Sequence, residues 1–147
     1  MNWLEAETAI RSHIETQWAL SAYSSISLVW ENEEEIMNNN YMMIEIEGIF
    51  SEKTIYGSVG KRSSVEFGIV FFHCFVPINS GKSAAVGPVV AMNSILELQS
   101  IESYIDLEGS NPPSSAQSGS DATMQKQPGG NYYRCSGSVP FIVRSAV

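Results

Sequence analysis

A chain of 147 residues, 44% of them hydrophobic, has the length of one domain and enough apolar material to close a core, which excludes wholesale disorder. Its 8 Lys+Arg against 16 Asp+Glu leave a net charge of −8, a balance that repels phosphate backbones and anionic lipid and so argues against nucleic acid or a membrane surface as the main ligand. No run approaches the roughly 18–20 apolar residues of a membrane span, Met1-Asn2-Trp3-Leu4-Glu5 lacks the order of a signal peptide, and two cysteines make no disulfide framework, so the sequence reads as a soluble intracellular product.

The first element is a helix. Asn2 can cap it, Glu5 stands three residues on, and Trp3, Ala6, Ile10, Ile14 and Trp18 recur at steps of three and four, with Glu5, Arg11, Ser12 and Glu15 on the solvated side. From Ser25 the period changes to two: Ile26, Leu28 and Trp30 share one face of a strand. An acidic connection, Asn32 to Asn40, leads to a second strand in which Met42, Ile44 and Ile46 alternate with Met43, Glu45 and Glu47. Phe50 to Ser64 reads as a strand, a turn and a return, with a basic tip at Lys53, Lys61 and Arg62. Val65 to Val76 is apolar on both faces, with Phe71, His73 and Phe75 on one and Val70, Phe72, Cys74 and Val76 on the other. Such a strand must be covered twice, by the helices and by more of this chain or another subunit.

Helical spacing returns over Ser80 to Leu98 (Ala85, Val89, Met92, Leu96), where Pro88 predicts either a start near Gly87 or a kink. Ile101 to Leu107 reads as one short strand. Residues 110–130 cannot build a core: Ser, Gly and Pro fill 11 of 21 positions, and the only apolar members are Ala116, Ala122 and Met124. A final strand runs from Tyr133 through Cys135, Val139, Phe141 and Val143, and Pro140 marks it as an edge or a bulge. The order predicts a single α+β domain over 1–147: a mostly antiparallel twisted sheet with the N-terminal helix and a second helix packed on one face.

Few residues here suit catalysis. Ser80-Gly81-Lys82-Ser83 sits between an apolar strand and a helix, where a phosphate-binding loop belongs, and gives a remote nucleotide-enzyme reading with Asp106 as magnesium carboxylate. The position that needs the first glycine of that motif is Val76, and Pro77 removes a donor, so a plain helix start is the better reading. His13 and His73 are too few for a zinc site, and His73 and Cys74 point to opposite faces. Cys135 with His73 or His13 lacks an orienting third group; both cysteines read as buried thiols. Glu31, Glu33, Glu34 and Glu35 lack the alternation and turn glycine of a calcium loop; their best use is pairing with the basic tip across a subunit boundary. No catalytic residue, cofactor or metal is assigned.

The layout resembles the small tail-terminator, or tail-completion, proteins of long-tailed bacteriophages and related prophage or gene-transfer particles. The residues that carry it are the Asn2-Trp3 helix ending at Gln17-Trp18, Ile26 to Trp30 running into Glu31-Asn32, Met42 to Ile46, Phe67-Gly68-Ile69-Val70-Phe71-Phe72 leading to Phe75-Val76-Pro77 and Gly81, and Tyr132-Tyr133-Arg134 with Val139-Pro140-Phe141. The resemblance implies a non-enzymatic virion protein assembled in the host cytoplasm. What the family implies is a homo-oligomer, a hexameric ring on the head-proximal end of the tail tube, that would contact the major tail tube protein and a head–tail connector protein, with DNA only passing through its lumen. Another head–tail connector or tube component is the near alternative. Such a ring needs different mating surfaces on each protomer. The candidates are Glu33, Glu34 and Glu35, the tip at Lys53, Lys61 and Arg62, Phe72 in the doubly apolar strand, and Met124 in the polar loop.

Overall fold

The computed structural model describes residues 2–31, 40–55, 62–77, 81–117 and 132–146, which hold two helices and a seven-stranded sheet. The elements are α1 (Trp3–Ala19), β1 (Ser27–Trp30), β2 (Tyr41–Ile55), β3 (Arg62–Pro77), α2 (Ser83–Leu96), β4 (Ser100–Ile101), β5 (Ile105–Leu107), β6 (Ser114–Gln117) and β7 (Tyr132–Ala146). The sheet order is β1-β2-β3-β7-β5-β4, with β6 also against β7. Only β1 and β2 run parallel; every other pair is antiparallel. Both helices bury their apolar stripes in one cluster with one face of the sheet, the α+β layer the pattern predicts. No described helix is long and apolar enough to cross a membrane.

Helix α1 starts where its cap places it. The Asn2 side chain accepts from the Glu5 amide at 2.9 Å while the Glu5 carboxylate accepts from the Asn2 amide at 2.8 Å, closing a capping box. Ala6, Ile10, Ile14 and Trp18 are buried beneath it, and the Trp18 indole donates to the Ile26 carbonyl at 3.0 Å, tying the helix end to the approach of β1. His13 Nε2 donates to the carbonyl of Ile95 at 3.1 Å, joining α1 to α2.

Three long strands set the core by register. On the helix side the rows are Met42–Cys74–Cys135, Ile44–Phe72–Gly137, Ile46–Val70–Val139 and Gly48–Gly68–Phe141. Large rings lie where a neighbouring strand has no side chain. A methyl on Gly137 would stand 2.5 Å from the Phe72 ring, and one on Gly68 would stand 2.5 Å from Phe141 Cζ and 2.7 Å from the Glu47 carbonyl oxygen. Trp3 completes the layer, stacked on Phe141 at 5.6 Å and lying over Gly48.

Four expectations change. Helix α2 begins at Ser83 and runs through Pro88, rather than starting near Gly87. Pro88 costs the helix one internal bond, and it is buried in the helix's core-facing stripe. The segment 101–107 is two strands, β4 and β5, folded back through Glu102 and Ser103, whose φ of 56° and 59° have the sign that tight hairpins use. The polar loop is not structureless throughout: Ser114–Gln117 pair with Tyr133–Ser136, because a strand against an existing edge needs backbone bonds and no apolar pattern.

Pro140 lies in a central strand, not at an edge or a bulge. Its carbonyl accepts from Glu108 N at 2.8 Å, so the backbone groups of Pro140 face β5 and its connection, away from β3. The missing N–H therefore falls outside the β3 ladder, in the gap between where β6 ends and β5 begins.

The glycine rows make a direct prediction. Gly68→Ala loses about 1–3 kcal/mol of stability, since its methyl meets a packed ring and a backbone carbonyl. Gly48→Ala loses less, because its nearest obstacle is the Trp3 ring at 3.4 Å. Urea unfolding of the two variants beside the parent checks the order.

Candidate functional site

The sheet face turned away from the helices carries the rows Tyr41–Phe75–Arg134, Met43–His73–Ser136, Glu45–Phe71–Ser138 and Glu47–Ile69–Pro140. One end of it is closed: Val29, Tyr41 and Phe75 are buried, with Tyr41 stacked on Phe75 at 4.9 Å. Towards the other end the face opens. Phe67, Ile69, Phe71 and Ile142 are half-buried, and Phe50, 53% exposed, stacks on Phe67 at 4.3 Å beside Ile49 at 56%. The bulge between Gly48 and Phe50 brings Phe50 opposite Phe67 on this outer side.

Polar groups divide to the two sides of that apolar band. On the β2 side lie Glu31, Glu45 and Glu47. Glu31 Oε1 accepts from the Ile46 amide at 3.1 Å, supplying the acceptor that a longer β1 would have offered. Burial, then the neighbouring Glu47 and Glu31 carboxylates, push the Glu45 carboxyl above its ordinary range.

On the β7 side a notch of about 270 Å³ opens between the sheet and the Pro112–Ser114 approach to β6. It is lined by Phe71, His73, Ser114, Arg134, Ser136 and Ser138 among others. His73 Nδ1 and Ser136 Oγ are 2.7 Å apart, and Asn111 Nδ2 donates to Ser138 Oγ at 2.7 Å. The His73–Ser136 pair has the separation of a nucleophile and its base. Yet Ser136 lies mid-strand with its backbone paired to Ser114 of β6, and strand amides engaged in a ladder cannot serve as oxyanion donors.

The sequence candidates fall unevenly on this geometry. Phe72 is a correction: at 0% exposure it is sealed in the protomer's own core over Gly137, because the helices cover the Val70–Phe72–Cys74–Val76 face and leave Phe71 and Ile69 outward. Lys53 and Arg62 sit on one arm of the sheet, where Lys53 pairs with Ser64 and Ile55 with Arg62. Glu33, Glu34, Glu35, Lys61 and Met124 lie outside the described residues.

Of the phosphate-loop reading, Ser80 lies outside the described residues, and the other groups named in the enzymatic readings are placed as follows. Gly81 has φ +89° and Lys82 caps α2 without a side-chain bond. Lys82 acts electrostatically on Cys135, whereas Asp106 sits opposite Ile142, seven residues along β7 or about 20 Å away, where it pairs with Arg144. No group of three His, Cys, Asp or Glu among the described residues could hold a metal. Cys135 and His73 point to opposite faces of the sheet, which separates them as a nucleophilic pair.

Cys74 and Cys135 stand directly opposite each other, both fully buried. Burial, and secondarily Cys135, push the Cys74 thiol up to about 12, and burial also raises Cys135 against the lowering pull of Lys82 and Arg134. Their pair is of the hydrogen-bonded, wider kind, since residues of β7 two apart from Pro140 face β5 and β6 while those between face β3. Both are free thiols.

Two measurements follow from these groups. Ellman's reagent at pH 8 reads almost no thiol in the native protein and two per chain in denaturant. Glu45 is stabilising only when protonated: its folded pKa lies above the unfolded value near 4.5, so stability falls as pH rises from about 4.5 through the raised folded value. Glu45→Gln then melts higher than the parent at pH 7, and the gain disappears at pH 4.

The sequence matches no family model and no curated protein. Eleven chains of solved structures do match. One of them superposes with a TM-score of 0.59 over 93% of this chain and 94% of its own, at 12% identity. A likeness at that identity shows a shared fold spanning the chain and carries nothing about activity.

Proposed function

We propose that this chain is a structural protein that works by self-association, a tail terminator whose ring caps the head-proximal end of a tail tube, stops its polymerisation and offers a docking surface for the head. The observation that carries this reading is the outer sheet face. A protomer that buries Val70, Phe72, Cys74 and Val76 of β3 completely leaves an apolar band from Phe50 and Phe67 through Ile69 and Phe71 half-open to solvent. A sheet face of that composition serves contact better than chemistry, and of the polar groups beside it Glu31, His73, Ser136 and Ser138 are tied to one another or to neighbouring groups. The element order that resembles tail-completion proteins runs along the whole chain, and the net charge of −8 keeps a lumen from gripping DNA in transit.

Closed rings come from heterologous contacts that return on themselves, so the reading predicts a discrete ceiling of assembly. Native mass measured at several protein concentrations is expected to give monomers and one closed oligomer, with six copies as the implied number. Particles made without the protein are expected to carry tails of uncontrolled length. Monomers at every concentration together with tails of normal length would overturn the reading, and labelled particles viewed by electron microscopy separate a terminator from a connector or tube subunit by position.

A further inference from the structure

We infer that Cys74 and Cys135 are a redox pair that closes to a disulfide across β3 and β7 inside the folded sheet, a modification site that pins the register between the two strands. The pair lies within one chain, so its chemistry and its test stand apart from the self-association reading.

Placement carries the argument. The chain has two cysteines, and the register sets each as the other's direct cross-strand partner, about 60 residues apart in sequence, with both in the cluster under the helices. Directly opposed residues of a hydrogen-bonded antiparallel pair have Cα atoms about 5.5 Å apart. Disulfides span about 4.4–6.8 Å, so the backbone already stands where a bridge needs it. The Cβ atoms, about 5 Å apart in such pairs, must close by about 1 Å to reach the preferred separation. A bridge drawn together in that way carries some strain, and strained disulfides are the readily reversed ones.

Thiol–disulfide exchange supplies the step, with a low-molecular-weight disulfide as the oxidant. Cys135 is the attacking residue on two counts. Burial raises both thiols, yet Lys82 and Arg134 pull Cys135 back down while Cys74 is pushed up to about 12. Cys135 also stands beside β6, a strand of four residues, whereas Cys74 lies between the long strands β2 and β7, and short elements open more readily than a core. The Cys135 thiolate attacks one sulfur of the oxidant and expels the other as a thiol. The Cys74 thiolate then attacks the Cys135 sulfur of the mixed disulfide and expels the second. Two electrons pass from the pair to the oxidant, and the two protons end on the released thiols. Both cysteines are fully buried, so exchange waits on opening and takes hours, and the native thiols stay silent over the minutes of an Ellman assay. Once closed, the bridge ties together the strands whose His73, Arg134 and Ser136 line the notch, so the oxidation state of the inner face fixes a feature of the outer one.

The test is overnight incubation of the folded chain with oxidised glutathione. The chain is expected to lose about 2 Da, with residues 74 and 135 joined within one chain by peptide mapping. Thiols titrated in urea are expected to fall from two to none, the urea midpoint to rise, and dithiothreitol to reverse all of it. Cys135→Ala given the same treatment should show no rise in midpoint, and Cys74→Ala serves equally if that variant fails to fold. Two thiols persisting after incubation, linkage only when the oxidant acts in urea, a glutathione adduct that never resolves, bridges between chains, or a linked chain that unfolds at lower urea than the reduced one would each overturn the inference.

Discussion

The fit of two aromatic rings into a trough without side chains fixes the distance between the helix layer and the sheet. Gly48 and Gly68 are neighbours on β2 and β3; Phe141 fills the space above Gly68, and Trp3 of α1 stacks on Phe141 while covering Gly48. The same device recurs two rows along, where Phe72 lies over Gly137. Interiors are packed closely enough that neither ring has room to move. The constraint therefore reaches further than the residues in contact, because a slip of one position in β7 would turn Phe141 and Val139 to the outer face and bring Pro140 to the core.

With that register locked, the two sheet faces take different parts. The inner face is saturated: Cys74 and Cys135 are buried free thiols there, and Phe72 packs its surface on Gly137 and the helices. Among the described residues of the sheet, groups open to water or a partner lie on the other face. There the polar residues that interrupt the apolar band fall at its margins, since β3 supplies the middle strand and its outward residues between Phe67 and Phe71 are aromatic or aliphatic.

Periodicity made the secondary structure legible wherever one face of an element was polar. The capping box, the stripe of α1 and the alternation of Met42 to Glu47 are local patterns, and they translate directly into α1 and β2. Where both faces were apolar, periodicity separated Phe71 from Phe72 yet could not say which one faces inward; the helices decide that, through contacts far apart in the chain. Pro140 misled for a related reason: a proline is costly to a ladder only on the side its N–H would face, and that side depends on neighbours. The notch was illegible because His73 and Ser136 meet across 63 residues of sequence and the wall formed by Pro112 and Ser114 comes from a segment of turn-like composition. Their types are all present in the sequence, and only the β3–β7 register brings them to one place.

The edge of β2 bears on the proposed self-association and on whether backbone or side chains would carry it. Among the described residues β1 pairs with β2 only as far as Ile44, so the strand continues to Ile55 with one row of backbone groups facing outward. An open edge of that length invites indiscriminate strand addition. Three features blunt it. Glu31 caps the first free amide, the bulge between Gly48 and Phe50 breaks the regular spacing of the donors, and the exposed Glu47 and Glu52 place charge along the strand. Backbone pairing is the least specific way to join two copies, and these devices act against it. What remains is the outer face, whose charges and apolar band have a defined order, and under the proposed reading a defined order is what an assembly would need to close at a fixed number of copies rather than grow.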